Sequence, residues 1–231
     1  MLSIITINKN NREGLERTLA SLVKMRPDEF QWVCIDANSS DGSQAVATAF
    51  LRPGDRIISE SDNGIYHAMN KGIALATGQQ ILYLNSGDTL APGLTSLAKL
   101  ELDDSVDICL FGFAIRNRVR LPRSNQWRFW SMPTSHQAIV YSKTLLCQAP
   151  FNETYRFAGD FEHYLRINRL GCTVRQTNMI LSVNEPYGSD QHLPALLLEY
   201  KKALLENGLP LWWANTVYWL KTHYLKWALR T

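Results

Sequence analysis

The sequence predicts an α/β protein, with a mostly parallel, Rossmann-like central sheet flanked by helices and a C-terminal amphipathic helical tail. Three observations carry this. Short apolar runs alternate with segments of helical apolar spacing, β-α-β-α-β-α-β, over residues 2–84 of the 231-residue chain. The runs are continuous rather than alternating, as in strands covered on both faces. Each run ends in a polar turn, and in a parallel sheet those turns share one edge.

Leu2–Ile7 reads as the first strand, and Asn8–Asn11 as a polar turn. Leu15, Leu19, Leu22 and Val23 then recur at helical spacing. Phe30–Ile35 is the second strand, ending at Asp36. In the turn A-N-S-S-D-G-S, Ser43 or Asp41 is placed to cap a helix through Phe50. Arg56–Ser59 is a short third strand. Ile65, Met69, Ile73 and Ala76 mark a helix that Gly78 ends, and Ile81–Leu84 is the fourth strand. Further on, Val106–Phe113 and Ala138–Tyr141 read as strands. Phe161–Leu170 reads as a helix ending near Gly171, and Cys172–Val183 as a loosely alternating strand. From Pro194 the pattern is helical to the end. The expected division is a domain over 1–190 and a helical segment over 191–231.

Hydrophobic content of 45% and charge of 19% suit a folded core. A net charge of +3, with no dense basic run or aromatic-basic motif, argues against nucleic acid as a partner. Cys34, Cys109, Cys147 and Cys172 are widely spaced, with no C-x-x-C pair. Cys34 and Cys109 sit in apolar runs and read as buried thiols, so a reducing compartment is expected. The start, M-L-S-I-I-T-I-N, lacks the charged lead of a signal peptide. No run approaches the ~20 apolar residues that span a bilayer. The expected localisation is cytoplasmic.

The turns at Asn8–Asn11, after Asp36, at Glu60–Gly64 and at Asn85–Asp88 converge on the common edge and suggest a pocket for a polar, charged ligand. Neither G-x-G-x-x-G nor G-x-x-x-x-G-K-[ST] occurs, so a glycine-rich phosphate cradle is absent. A bound diphosphate would need a cation instead. Asp88, at a strand's carboxyl end, is the candidate to hold Mn2+ or Mg2+.

Four stretches together resemble a known family: S-I-I-T-I-N-K-N; I-D-A-N-S-S-D-G-S; S-E-S-D-N-G-I-Y-H-A-M-N-K-G-I through L-N-S-G-D; and S-H-Q-A-I-V-Y with A-G-D-F-E-H-Y-L-R-I. They are similar to inverting family 2 glycosyltransferases of GT-A fold, nearest to bacterial enzymes of exopolysaccharide, colanic acid and O-antigen assembly. The resemblance implies a UDP- or GDP-linked sugar donor. Thr6, Asn8 and Asp36 would line the nucleotide pocket, with Asp62, Ser86 and Gly87 on the donor side. Asp88 would bind the metal and Asp160 would be the general base, assisted by Glu162. His136 and Gln137 would lie near the active site. Arg166 can reach a phosphate or pair with Glu162, four residues before it.

Three departures stand out. N-S-G-D carries one carboxylate, Ala37 follows Asp36 where many members have an acid, and His67 stands where close relatives have Asp. His67 itself reads as a solvent-facing helix residue. Asn70 reads as an amide tying its helix to neighbouring loops, and Tyr66 as packing under the donor pocket or filling core.

Residues 207–231 contain no acid but carry Lys221, Lys226 and Arg230, with Trp212, Trp213, Trp219, Trp227, Tyr218 and Tyr224. Asn215, Thr222, Lys226 and Arg230 form one polar stripe. Such a helix either packs on the domain or a second copy, making a homo-oligomer, or lies in the headgroup region of an anionic membrane. The resemblance implies a lipid-diphosphate-linked saccharide acceptor at the inner face of the cytoplasmic membrane, with the protein peripheral there. A rival enzyme reading, a sugar-phosphate nucleotidyltransferase, would want a glycine-rich basic loop where the chain has N-K-N-N-R-E-G. A catalytically inactive, membrane-docked binding subunit is the rival from another class.

Overall fold

The structure, a computed structural model, describes residues 1–25, 27–186 and 192–228. Four strands, β1 (Leu2–Asn8), β2 (Phe30–Asp36), β3 (Arg56–Ser59) and β4 (Gln80–Tyr83), form the expected parallel half. The helices between them are α1 (Arg12–Leu22), α2 (Ser43–Phe50) and α3 (Ile65–Leu75). Every residue of β1 and β2 is buried, which is why those strands read as unbroken apolar runs. The side-chain alternation feeds two cores. Ile5, Ile7, Val33 and Ile35 face α3, while Leu2, Ile4, Trp32 and Cys34 pack with Leu15 and Leu19 of α1.

The second half of the sheet is mixed. Its strands are β5 (Thr89–Leu90), β6 (Ile108–Ile115), β7 (Arg118–Arg120), β8 (Ile139–Ser142) and β9 (Val174–Val183). The order is β3-β2-β1-β4-β8-β6-β9-β5, with β7 hairpinned onto β6. Antiparallel β8 separates β4 from β6, so among the described strands four neighbouring pairs are parallel and four antiparallel. The expectation of a mostly parallel sheet holds for the first half only. An apolar run marks a buried strand but says nothing about its direction. Because β4, β6 and β9 run the same way, their carboxyl ends share the edge that carries the ends of β1–β3.

Three elements escape a periodicity reading. β5 spans two residues, β7 is an exposed R-V-R, and α4 (Lys143–Gln148) is short, capped by Ser142. Helix α5 (Gly159–Arg169) starts earlier than its apolar spacing suggests. The C-terminal helix is broken into α6 (Leu193–Glu206) and α7 (Leu211–Ala228). The break follows from N-G-L-P, with Gly208 at φ +83° and Pro210 opening the next helix.

The boundary expected at 190 lies outside the described residues. Helices α6 and α7 do share the domain's core, because Ala203, Leu204, Ala214 and Val217 join the cluster of Phe161 and Tyr164. Tyr200 stacks on Phe161 at 4.2 Å. The inner face of α7 therefore packs on the domain. Its outer face exposes Leu211, Trp212, Trp219, Leu220 and Tyr224. Lys221 is turned inward, with its ammonium over the rings of Tyr200 (4.7 Å) and Trp130 (5.5 Å). Arg230 and the side chains of Lys226 and Trp227 lie outside the described residues. No described helix is long and apolar enough to cross a membrane. Cys34 and Cys109 are buried free thiols.

Candidate active site

The parallel register sets Asn8, Asp36 and Ser59 abreast at the strand ends. Their side chains bond to one another. Asn8 Nδ2 donates to Asp36 Oδ1 at 2.7 Å, and Ser59 Oγ and the Ser39 N–H donate to Asp36 Oδ2 at 2.6 and 2.9 Å. Burial pushes the Asp36 carboxyl up, but the bonds from Ser39, Ser59 and Asn8 outweigh it and hold it below the usual range. Ser86 Oγ donates to Asn8 Oδ1 at 2.6 Å, joining this row to the turn after β4.

That turn, Asn85–Asp88, is built by α1. Asn11 caps the helix by accepting from the Gly14 N–H, and its Nδ2 donates to the Ser86 carbonyl at 3.0 Å. Thr18 Oγ1 accepts from the Gly87 N–H at 3.0 Å and donates to the Asp88 carbonyl at 2.8 Å. Gly87 is at φ +104°, and a Cβ there would collide with the Glu185 carboxylate. Asp88 is buried, and its Oδ1 accepts from the Glu185 N–H at 2.8 Å. Burial above all, with the Glu185 charge adding, pushes Asp88 up to about 7.

Asp160 opens α5, half-buried, with Oδ1 accepting from its neighbour Phe161 N–H at 2.9 Å and from Tyr66 OH at 3.5 Å. Burial pushes it up to about 6. Tyr66 OH also accepts from the Gly159 N–H at 2.8 Å, and a Cβ on Gly159 would sit 2.6 Å from the Tyr66 ring. The loop entering α5 is held from α6. Glu199 accepts the backbone N–H groups of Arg156, Phe157 and Ala158 at 2.8–2.9 Å. One carboxylate thus fixes the approach to Asp160.

Ser86, Asp88, His136, Gln137 and Asp160 all line one cleft of about 470 Å3. His136 lies among Tyr83, Tyr141 and Phe151. Burial pushes it down to about 4, so the ring is neutral. Tyr141 OH meets its Nδ1 at 3.3 Å, and its Nε2 has no partner among the described residues. Gln137 Oε1 accepts from Ser135 Oγ at 2.6 Å and Asn184 Nδ2 at 3.1 Å, a polar network on the same wall. Arg156 is the cleft's one Lys or Arg among the described residues.

Several sequence-derived site residues take other places. Thr6 is buried one pleat repeat below Asn8, and its hydroxyl accepts from the Trp32 indole at 3.0 Å; it does not reach the cleft. Asn8 and Asp36 are buried organisers of the turns and touch the cleft only through Ser86. Gly87 shapes the turn without lining the cleft, and Asp62 bonds the Gly64 N–H. Glu162 and Arg166 pair with each other at 2.8 Å, with Arg166 also on the Pro150 carbonyl, away from the cleft. Asp41 bonds the N–H groups of Arg12 and Ser43, serving the starts of two helices. Asn70 ties α3 to Phe151 and Glu153 as expected, and His67 accepts from the Asn63 N–H.

Sequence reasoning placed Asn85 in a pocket turn without giving it a role, and it missed Arg156, Asn184, Glu185 and Glu199. Asn184 and Glu185 follow β9 directly, so the strand-end rule finds them once the direction of β9 is known. Glu199 gives no signal, being one acid in an amphipathic helix.

The side chains fit a hard divalent cation. Asp88 has no cationic partner among the described residues, since Glu185 takes Arg17. Asn85 Oδ1, on a residue lining the same cleft, is buried with no partner among the described residues. Oxygen donors of this kind suit Mg2+ or Mn2+, which complete their shells with phosphate and water oxygens. Among the described residues no group of three or more His, Cys, Asp or Glu forms a full cage.

A curled α/β sheet carries polar strand ends beside a cleft lined by Asp88, Asp160 and Glu185, an arrangement suited to a charged, phosphate-bearing ligand. Residues 3–161 match glycosyl transferase family 2, and the chain belongs to that family. A PGL/p-HBAD biosynthesis glycosyltransferase of Mycobacterium bovis is 29% identical over 182 residues, covering 72% of this chain and 69% of the relative. The fold is that of GT-A glycosyltransferases. A mannosyltransferase, PcManGT, from Pyrobaculum calidifontis, in complex with GDP-Man and Mn2+, superposes with TM-score 0.70 at 16% identity, over 94% of this chain and 69% of that one. S. aureus TarS 1-349 in complex with UDP-GlcNAc superposes with TM-score 0.68 at 15% identity, over 94% and 70%.

Proposed function

We propose that this chain is an inverting, metal-dependent glycosyltransferase. It moves a sugar from a UDP- or GDP-linked donor to a lipid-linked saccharide in bacterial surface polysaccharide synthesis. One observation carries the reading: Asp88 and Asp160, both pushed up by burial, line one cleft beside the strand-end row of Asn8, Asp36 and Ser59.

Three acids line the cleft among the described residues: Asp88, Asp160 and Glu185. Glu185 is tied to Arg17, and Asp88 lies with the oxygen donors that suit a cation. Asp160 remains to accept the proton of the acceptor hydroxyl as that oxygen attacks the anomeric carbon. A single base without a second carboxylate as nucleophile fits one displacement, hence inversion. At neutral pH Asp160 is mostly ionised, since its value of about 6 lies below 7. Tyr66 and the Phe161 N–H aim it. Asp88, with Asn85 beside it, would hold Mn2+ or Mg2+, which neutralises the charge developing on the leaving diphosphate. His136 is neutral and forms part of the cleft wall, with its Nε2 buried behind the surface. The cation-bound complexes among the structural neighbours support this reading.

The exposed aromatic face of α7 supports peripheral attachment to the cytoplasmic face of the inner membrane. Trp212→Ser with Trp219→Ser tests it without disturbing the buried Ala214 and Val217; sedimentation with anionic vesicles should drop, and unchanged sedimentation would refute attachment. For the reaction, a screen of nucleotide sugars with Mn2+ or Mg2+ should show one donor releasing its nucleoside diphosphate, with an inverted anomeric centre in the product by NMR. Retention of configuration, or no turnover of any donor, would overturn the proposal.

A further inference from the structure

Residues 108–152 contain no acid, yet they carry Arg116, Arg118, Arg120, Arg123 and Arg128. The β6–β7 hairpin presents several of them. Its two-residue turn, Arg116-Asn117, is left-handed at both positions (φ +47° and +61°), as a tight hairpin of this twist requires. Beside the hairpin lies a groove of about 430 Å3 lined by Arg120 and Arg123. Phe113, Met132, Thr134 and Ser135 line both this groove and the cleft of Asp88 and Asp160, so the two adjoin across one wall. The sheet order sets the groove across β4 and β8 from the Asp36 row, on the side away from the donor.

Among the described residues no carboxylate pairs with Arg120 or Arg123; Arg123 reaches only Ser131 Oγ at 3.2 Å and bonds Pro133 through its backbone. A third cation faces the cluster. Burial, then the charge of Arg123, push Lys221 of α7 down to about 8. Leu121 and Met132 line the groove beside the two arginines, and Leu121 is exposed there. Crowded cations without an acid are stabilised by an anion, and guanidinium forks match phosphate oxygens in pairs. Apolar side chains beside them suit the hydrocarbon that a phosphate headgroup carries.

We propose that this groove is a phosphate subsite for the acceptor, with Arg120 and Arg123 binding the diphosphate of its lipid carrier and Leu121 and Met132 meeting the start of the lipid. The assignment rests on the lipid-linked acceptor reading above. The test uses the full chain and three vesicle types: phosphatidylcholine alone, phosphatidylcholine with a polyprenyl diphosphate, and phosphatidylcholine with phosphatidylglycerol at matched charge. The wild type should bind the polyprenyl diphosphate vesicles most tightly, with soluble pyrophosphate competing. Arg120→Gln with Arg123→Gln should remove that preference, on the order of tenfold per arginine, at an unchanged melting temperature. Arg118→Gln, on the same hairpin but off the groove, should keep both the preference and the activity.

Equal binding to both anionic vesicle types would overturn the subsite, as would a preference that survives the double substitution or falls equally with Arg118→Gln. Donor turnover by the wild type is scored separately. Its absence would sink the glycosyltransferase reading and leave the vesicle result standing on its own.

Discussion

The carboxylates at the two parts of the site are treated in opposite ways. Asp36, at the parallel strand ends, is buried with both oxygens filled by Asn8, Ser39 and Ser59, and it sits below the usual carboxylate range. Asp88 and Asp160 are held by far fewer donors, chiefly the Glu185 N–H and the Phe161 N–H, and burial pushes them up to about 7 and 6. The same fold makes a fixed charge where it organises turns and an undersatisfied one where chemistry needs a ligand or a proton. Saturation with hydrogen bonds separates a structural acid from a reactive one.

The sharpest way to break this contrast is Asp88→Asn. It should cost several kcal/mol of barrier, on the order of 10³-fold in Mn2+-dependent release of nucleoside diphosphate; an effect under a few-fold would make Asp88 structural. Glu199→Ala should lower kcat about tenfold, leave the donor KM nearly unchanged and reduce stability by about 1–3 kcal/mol, because three N–H groups before Asp160 lose their acceptor. A rise in KM alone would show that Glu199 does not position the base.

Stability should respond with a definite sign. Between the ordinary carboxylate value of 3.8 and the raised values of about 6 and 7, the folded chain holds protons that the unfolded chain has released. Stability from these two groups therefore falls as pH rises through that window. Asp160→Asn should raise the melting temperature at pH 8, with the gain fading towards pH 4. A lower melting temperature at pH 8 would contradict the raised value. Asp36 works the other way, its contribution being present at neutral pH and lost on acidification. The smallest expected effect on the rate belongs to Tyr66→Phe, which removes the long bond to Asp160 and the acceptor of the Gly159 N–H; it should slow transfer only a few-fold, move the acidic limb upward and lower stability by about 1–3 kcal/mol.

Much of the fold was legible because buried parallel strands are written as apolar runs, as β1, β2 and β4 are, while the half-buried β3 was found from a short Ile-Ile core between polar ends. The antiparallel insertion of β8 was not, since a run carries no direction. At the site, Asp88 was legible from its place at a strand's carboxyl end, Asp160, His136 and Gln137 came from motif resemblance, and all four share the cleft. Thr6 failed by one pleat repeat: it lies on the face of Leu2 and Ile4, under the Trp32 indole, where a threonine fills core and caps an N–H. Of the two readings open for Arg166, the i, i+4 pair with Glu162 is the one found, and it keeps both side chains away from the cleft. Glu199 could not be read, since its role depends on how α6 docks against the loop before α5.

The central claim is that Asp160 takes the acceptor's proton. It is tested most directly by the pH dependence of transfer for the wild type and Asp160→Asn, measured with the same donor, acceptor and saturating Mn2+. The wild-type rate should fall on acidification with a limb near pH 6, while the variant should be slower on the order of 10²–10⁴-fold and lack that limb. A variant that keeps a substantial rate and the same limb would assign the base to another group.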